Sequence, residues 1–194
     1  MKFLLFLLLG NIFLCNHMSL GEHVDVFPIE HPIPKINSGL GLNIVGAATF
    51  STLNPSLELQ VFNLVNSKRA SGAICGGKPM PVVPPLKLNQ LLTNAARNHS
   101  LDMAVKNYFS HVSLDGRTFV NRISSAGYTS YRALGENIAA GYNTASSVMN
   151  GWMTSPGHCN NIMSPNYKEI GIGYAFDSTS TYDHYWTQDF GTRF

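Results

Sequence analysis

The apolar pattern of this chain changes period once, near its C-terminal end. Ile170, Ile172, Tyr174 and Phe176 alternate with small residues, a polar loop runs from Asp177 to Asp183, and Tyr185 Trp186 Thr187 Gln188 Asp189 Phe190 follows. That pattern predicts two strands joined in a hairpin. Upstream the spacing is helical. Asn54 Pro55 reads as the cap and first-turn proline of a helix whose face carries Leu57, Val61, Leu64, Val65 and Lys68. Ser71 to Pro85 reads as a loop. Asn89 caps a second helix with the stripe Leu88, Leu92, Ala95, Ala96, His99 and Met103, in which His99 is a hydrogen-bonded core residue rather than a ligand. The turn Asp115 Gly116 leads into a third helix carrying Phe119, Ile123 and Ala126, closed by Gly127 as a left-handed cap. Thr144 caps a fourth, with Ala145, Val148, Met149 and Trp152 on its inner face, stopped by Ser155 Pro156 Gly157. Helices first and strands last predict an α+β domain, with helices packed on an antiparallel sheet.

Ahead of this domain, Met1 Lys2 and the apolar run from Phe3 to Leu14 form a positive start and a core too short to span a bilayer, the pattern of a signal peptide. Ser19 and Gly21 place cleavage before Glu22, which gives a leader over 1–21. Residues 22–53, rich in proline, glycine and asparagine, read as a flexible arm, and 54–194 as one domain. No later segment is apolar for long enough to cross a membrane. The expected product is therefore secreted, extracellular or periplasmic. Its formal charge without Lys2 is about +1 and its basic residues form no run, which argues against nucleic acid as a partner.

The leader would carry off Cys15, leaving Cys75 and Cys159 of the three cysteines. An oxidising compartment favours a disulfide between them. The rival reading makes Cys159, beside His158, a thiolate activated by imidazolium. Two runs hold the remaining chemistry: Gly135 Glu136 Asn137 Ile138 Ala139 Ala140 Gly141, and Trp152 Met153 Thr154 Ser155 Pro156 Gly157 His158 Cys159 Asn160 Asn161 Ile162. They set a carboxylate and an imidazole 22 residues apart, with His111 standing 25 residues before Glu136. One carboxylate and two imidazoles suit a proton-transfer or metal site. Glu136 also has a structural rival role, holding two loops together from a glycine-flanked turn.

In this order His111, the Gly135 Glu136 Asn137 Ile138 run, Gly157 His158 Cys159 Asn160 Asn161 Ile162, Gly171 Ile172 Gly173 Tyr174 and Trp186 Thr187 Gln188 Asp189 Phe190 Gly191 resemble the CAP superfamily. That group takes in cysteine-rich secretory proteins, venom antigens and pathogenesis-related proteins, and the likeness is to its short bacterial-type branch, over roughly 57–194. The resemblance implies a three-layer α-β-α sandwich with a central antiparallel sheet and a cleft formed by His111, Glu136 and His158. It implies a divalent metal, often zinc, on His111 and His158, and a bridge from Cys75 to Cys159. This chain departs from the longer members in lacking any Asp or Glu between Glu136 and Glu169.

Two functions follow from the resemblance. The first is a secreted, non-enzymatic binding module whose cleft takes a small hydrophobic ligand, a peptide or a cell-surface component. The second is a zinc-assisted hydrolase, peptidase-like, in which His111 and His158 hold the metal and Glu136 is the catalytic base on a bound water.

Overall fold

The computed structural model describes residues 54–194; the leader and the arm lie outside the described residues. Helix α1 (Pro55–Ser71) starts where Asn54 accepts a hydrogen bond from the Leu57 amide and a proline occupies the first turn. A two-stranded hairpin, β1 (Ala73–Cys75) and β2 (Lys78–Met80), occupies the stretch expected to be a plain loop. The edge strand β3 (Lys87–Leu88) leads into α2 (Gln90–Val105), capped by Asn89, and α3 (Phe119–Ser125) is capped by Thr118. Strand β4 (Tyr131–Ala140), helices α4 (Ala145–Thr154) and α5 (Pro156–Ile162), and strands β5 (Glu169–Phe176) and β6 (His184–Arg193) complete the domain.

The main sheet runs β3-β5-β6-β4, antiparallel apart from the short parallel pair β3 and β5. Helices α2 and α3 cover one face and α1, α4 and α5 the other, which is the expected three-layer α-β-α sandwich. The face under α1, α4 and α5 holds the larger apolar core, with Trp152, Trp186, Phe190, Ile170 and Ile172. On the opposite face α2 lies directly on β5. A Cβ at Gly171 would stand 2.0 Å from the Leu92 carbonyl carbon, and one at Gly173 2.3 Å from that of Ala96. Glycine is therefore needed here for close approach of a helix to a strand.

Strand β4 is the largest departure from the sequence reading. Glu136 and Asn137 sit in mid-strand, paired with Asp189 and Gln188 of β6, not in a turn. Residues 135–139 are buried on both sides, so the alternation that advertises a strand is missing. The inner face of α1 also differs, since it buries Glu58, Val61, Val65 and Arg69 while Lys68 is exposed. Glu58 is neutralised by Arg97 and accepts from the Tyr174 amide at 3.2 Å. Arg69 donates to the carbonyls of Pro84, Ile162 and Ser164, and its burial pulls its guanidinium down to about 10.

Candidate functional site

The site is built around β4, an edge strand of the main sheet. The Glu136 side chain is 1% exposed and both of its oxygens are engaged. Oε1 accepts from His111 Nδ1 at 2.7 Å, and Oε2 accepts from Arg122 Nη2 at 2.6 Å. Arg122, on α3, also donates from Nη1 to the carbonyls of His111 and Arg117, both at 3.0 Å. One buried guanidinium thus fixes the backbone of the His111 loop and, through Glu136, its imidazole. The proton on His111 is assigned to Nδ1, because the carboxylate there can only accept. Nε2 is then the nitrogen turned away from Glu136. The ring itself is half exposed.

The second run meets the first through amides. Asn137 Nδ2 donates to the His158 carbonyl at 3.2 Å, and Asn161 Nδ2 donates to the Glu136 carbonyl at 3.3 Å and to Asn137 Oδ1 at 2.9 Å. Pro156 opens α5 and puts His158 in its first turn, half-buried. Burial, and then the charge of nearby His111, hold the His158 imidazole below its ordinary range. The structure thus pairs His111 directly with Glu136 and ties the backbone of His158 to Asn137, the next residue of β4. Cys75 and Cys159 form a disulfide, which ties the β1–β2 hairpin to α5. The thiolate reading of Cys159 is thereby overturned, because a sulfur in a disulfide cannot act as the nucleophile.

Two further groups were invisible as site residues in the sequence. Arg122 lies in the short α3, where a basic residue reads as solvated. Asp189, wholly buried on β6, stands opposite Glu136 in the strand register. A second carboxyl group is thus present, supplied by a strand and not by the helix before His158. Its only signal was a charge inside the expected second strand, Tyr185–Phe190. His99 is buried in the same layer, as expected of a core histidine. Its Nε2 lies 3.0 Å from the Ser110 carbonyl, and burial pushes its imidazole down to about 4.

For the metal implied by the resemblance, the donor set is short. Among the described residues no three His, Cys, Asp or Glu side chains gather in ligand geometry. Both oxygens of Glu136 are committed, which leaves two imidazoles where a zinc site takes three or four protein ligands. These residues do not fit a resident zinc, nor does Glu136 fit a free base on a bound water.

The loop that carries His111 also presents apolar side chains. Phe109, Val112 and Leu114 are exposed, and Phe109 meets Tyr182 edge-on with ring centroids 5.9 Å apart.

The model of the cysteine-rich secretory protein family, CAP, matches residues 62–190. The uncharacterized protein YkwD of Bacillus subtilis (strain 168) is 38% identical over 133 residues, covering 69% of this chain and 46% of that protein. The uncharacterized membrane protein YlbC of the same organism is 30% identical over 116 residues, 60% of this chain and 31% of that protein. The chain thus spans less than half the length of these relatives. An extracellular protein containing an SCP domain from Bacillus anthracis superposes with a TM-score of 0.60 at 29% identity, over 72% of this chain and 41% of that one. An outer surface protein of Borrelia burgdorferi shares the fold, with a TM-score of 0.59 at 18% identity over 75% of this chain and 100% of that one. Matched over most of its described residues, the chain belongs to the CAP family of cysteine-rich secretory proteins.

Proposed function

We propose that this chain is an exported binding module whose His111 and His158 cleft holds a ligand without turning it over. The observation that carries this reading is the engagement of both Glu136 oxygens, by His111 Nδ1 and by Arg122. A carboxylate so held orients an imidazole, as outer-shell carboxylates do, and leaves no basic oxygen facing the cleft. His111 then offers Nε2 as an acceptor for a hydroxyl or amide N–H, beside the apolar Phe109, Val112 and Leu114. That combination suits a peptide, or a small hydrophobic molecule with one donor, as found on a cell surface. Export is supported by the leader pattern, by the disulfide, and by relatives described as extracellular or outer-surface proteins.

The test is a titration of a pooled library of short apolar peptides into isotope-labelled protein, run beside a fluorogenic protein-hydrolysis assay with and without zinc. Shifts confined to residues 109–114 and 156–161, lost in His158→Ala, are the expected result. Zinc-dependent hydrolysis that His158→Ala abolishes while the fold stays intact would establish the hydrolase reading instead.

A further inference from the structure

Two carboxyl groups face each other inside the sheet, and the nearby guanidinium hydrogen-bonds only one of them. Glu136 and Asp189 are register partners on neighbouring strands and lie on the same face. Asp189 is wholly buried, and neither of its oxygens meets a protein donor. The side chain it does reach is Glu136, itself an acceptor, so the contact closes only if a proton lies between them. The groups facing Asp189 are few. Strand β4 brings Glu136, α3 brings Arg122, His99 of α2 stands near those two, and the β5 partner is Gly171, with no side chain. Arg122 already donates to Glu136, and a second bare carboxylate in this interior would have no cation of its own.

We propose that Asp189 is held as a neutral acid that donates its proton to Glu136, which makes it a positioning residue for the Glu136 and His111 pair. Burial, followed by the charge of Glu136, acts in the same direction on the Asp189 carboxyl, lifting it well above the ordinary range against a smaller opposing pull from Arg122. The arrangement resembles two acids sharing one proton, except that here the pair points into the sheet and acts on the cleft only through His111. With three of its hydrogen bonds fixed, from His111, Arg122 and Asp189, Glu136 cannot rotate away from the imidazole. The inference deepens the reading of the cleft given above and rests on it for its function, though not for its chemistry.

The test compares wild type with Asp189→Asn and Asp189→Leu. A carboxamide can donate to Glu136 as the acid does, so Asp189→Asn should fold, keep the wild-type electrophoretic mobility at neutral pH, and remove a protonated-carboxyl band from the infrared spectrum. Nitrogen NMR should show the Nδ1–H tautomer of His111 retained in Asp189→Asn and mixed in Asp189→Leu. Linkage gives a further readout. Above the ordinary carboxylate range the unfolded chain releases this proton and the native chain keeps it, so wild type should lose stability with rising pH relative to Asp189→Asn, by up to tenfold in folding equilibrium per pH unit. A gain of one positive charge in Asp189→Asn, or the absence of the band from wild type, would overturn the proposal whether or not Asp189→Leu folds. Failure of peptide binding with the band present would sink the binding function and leave the shared proton standing.

Discussion

The two faces of the main sheet are built on different principles. Under α1, α4 and α5 the contacts are large and apolar, the charges buried on α1, Glu58 and Arg69, are held by Arg97 and by backbone carbonyls, and the other polar groups are neutral. The Trp152 and Trp186 indoles donate to the carbonyls of Ile138 and Tyr142, and Asn137 donates to Gln188. Under α2 and α3 the backbone itself comes close, and charged or titratable groups are interred: Glu136, Asp189, Arg122 and His99. Most buried side-chain atoms that lack a protein partner fall in this layer too, namely His99 Nδ1, Arg122 Nε, Tyr185 Oη and both oxygens of Asp189. The contrast shows how a single sheet separates tasks. One face supplies bulk stability, and the other holds a buried polar arrangement that orients His111 at the edge.

The sharpest way to break this contrast is Gly173→Ala. Its Cβ would meet the α2 backbone, which no rotamer change relieves, so a loss of more than about 4 kcal/mol is expected, read by denaturant unfolding. A variant that folds with near-normal stability would show that α2 can lift off β5. On the other face, Trp152→Ala should cost about 3–5 kcal/mol through the cavity it leaves, with no dependence on pH between neutral and mildly acidic conditions. A cost that changed with pH would mean the two layers are electrostatically coupled. The smallest effect expected is His99→Gln, in which the amide keeps a donor for the Ser110 carbonyl. The native His99 imidazole stays neutral down to about 4, whereas in the unfolded chain it takes up a proton below its ordinary value. The unfolded state therefore binds more protons, and wild type loses roughly 3 kcal/mol from this residue as pH falls through that window. The Gln variant should lack that loss. Equal pH profiles for the two proteins would remove His99 from the account.

What the sequence made legible was local. Asn54, Asn89 and Thr144 cap their helices where expected, because a short polar side chain finds the first free amides of a helix without help from the rest of the fold. The β5–β6 hairpin was readable because alternation survives wherever small residues separate large ones. Strand β4 was hidden by the opposite circumstance, as both of its sides are buried and the pattern is flat. Arg69 and Glu58 misled the reading of α1 because a charge on a helix normally marks the wet face, whereas here carbonyls and Arg97 satisfy them inside.

The candidate site divides along the same line. His111, Glu136, His158 and the cysteine pair could be named from residue type and order, since chemistry of that kind is confined to a few side chains. Their roles could not. Whether Glu136 is a base, a ligand or a support depends on which groups take its two oxygens, and those come from α3 and from the His111 loop. Asp189 and Arg122 join the site only because strand register and the seat of α3 bring them to Glu136. By itself, then, the sequence determined the family, most of the helices and the C-terminal hairpin, and which residues to propose for the cleft, all properties of residue type and order along the chain. Only the tertiary structure decided that the carboxylate is occupied and that a second acid lies behind it, because hydrogen bonds and desolvation are set by contacts between segments remote in sequence.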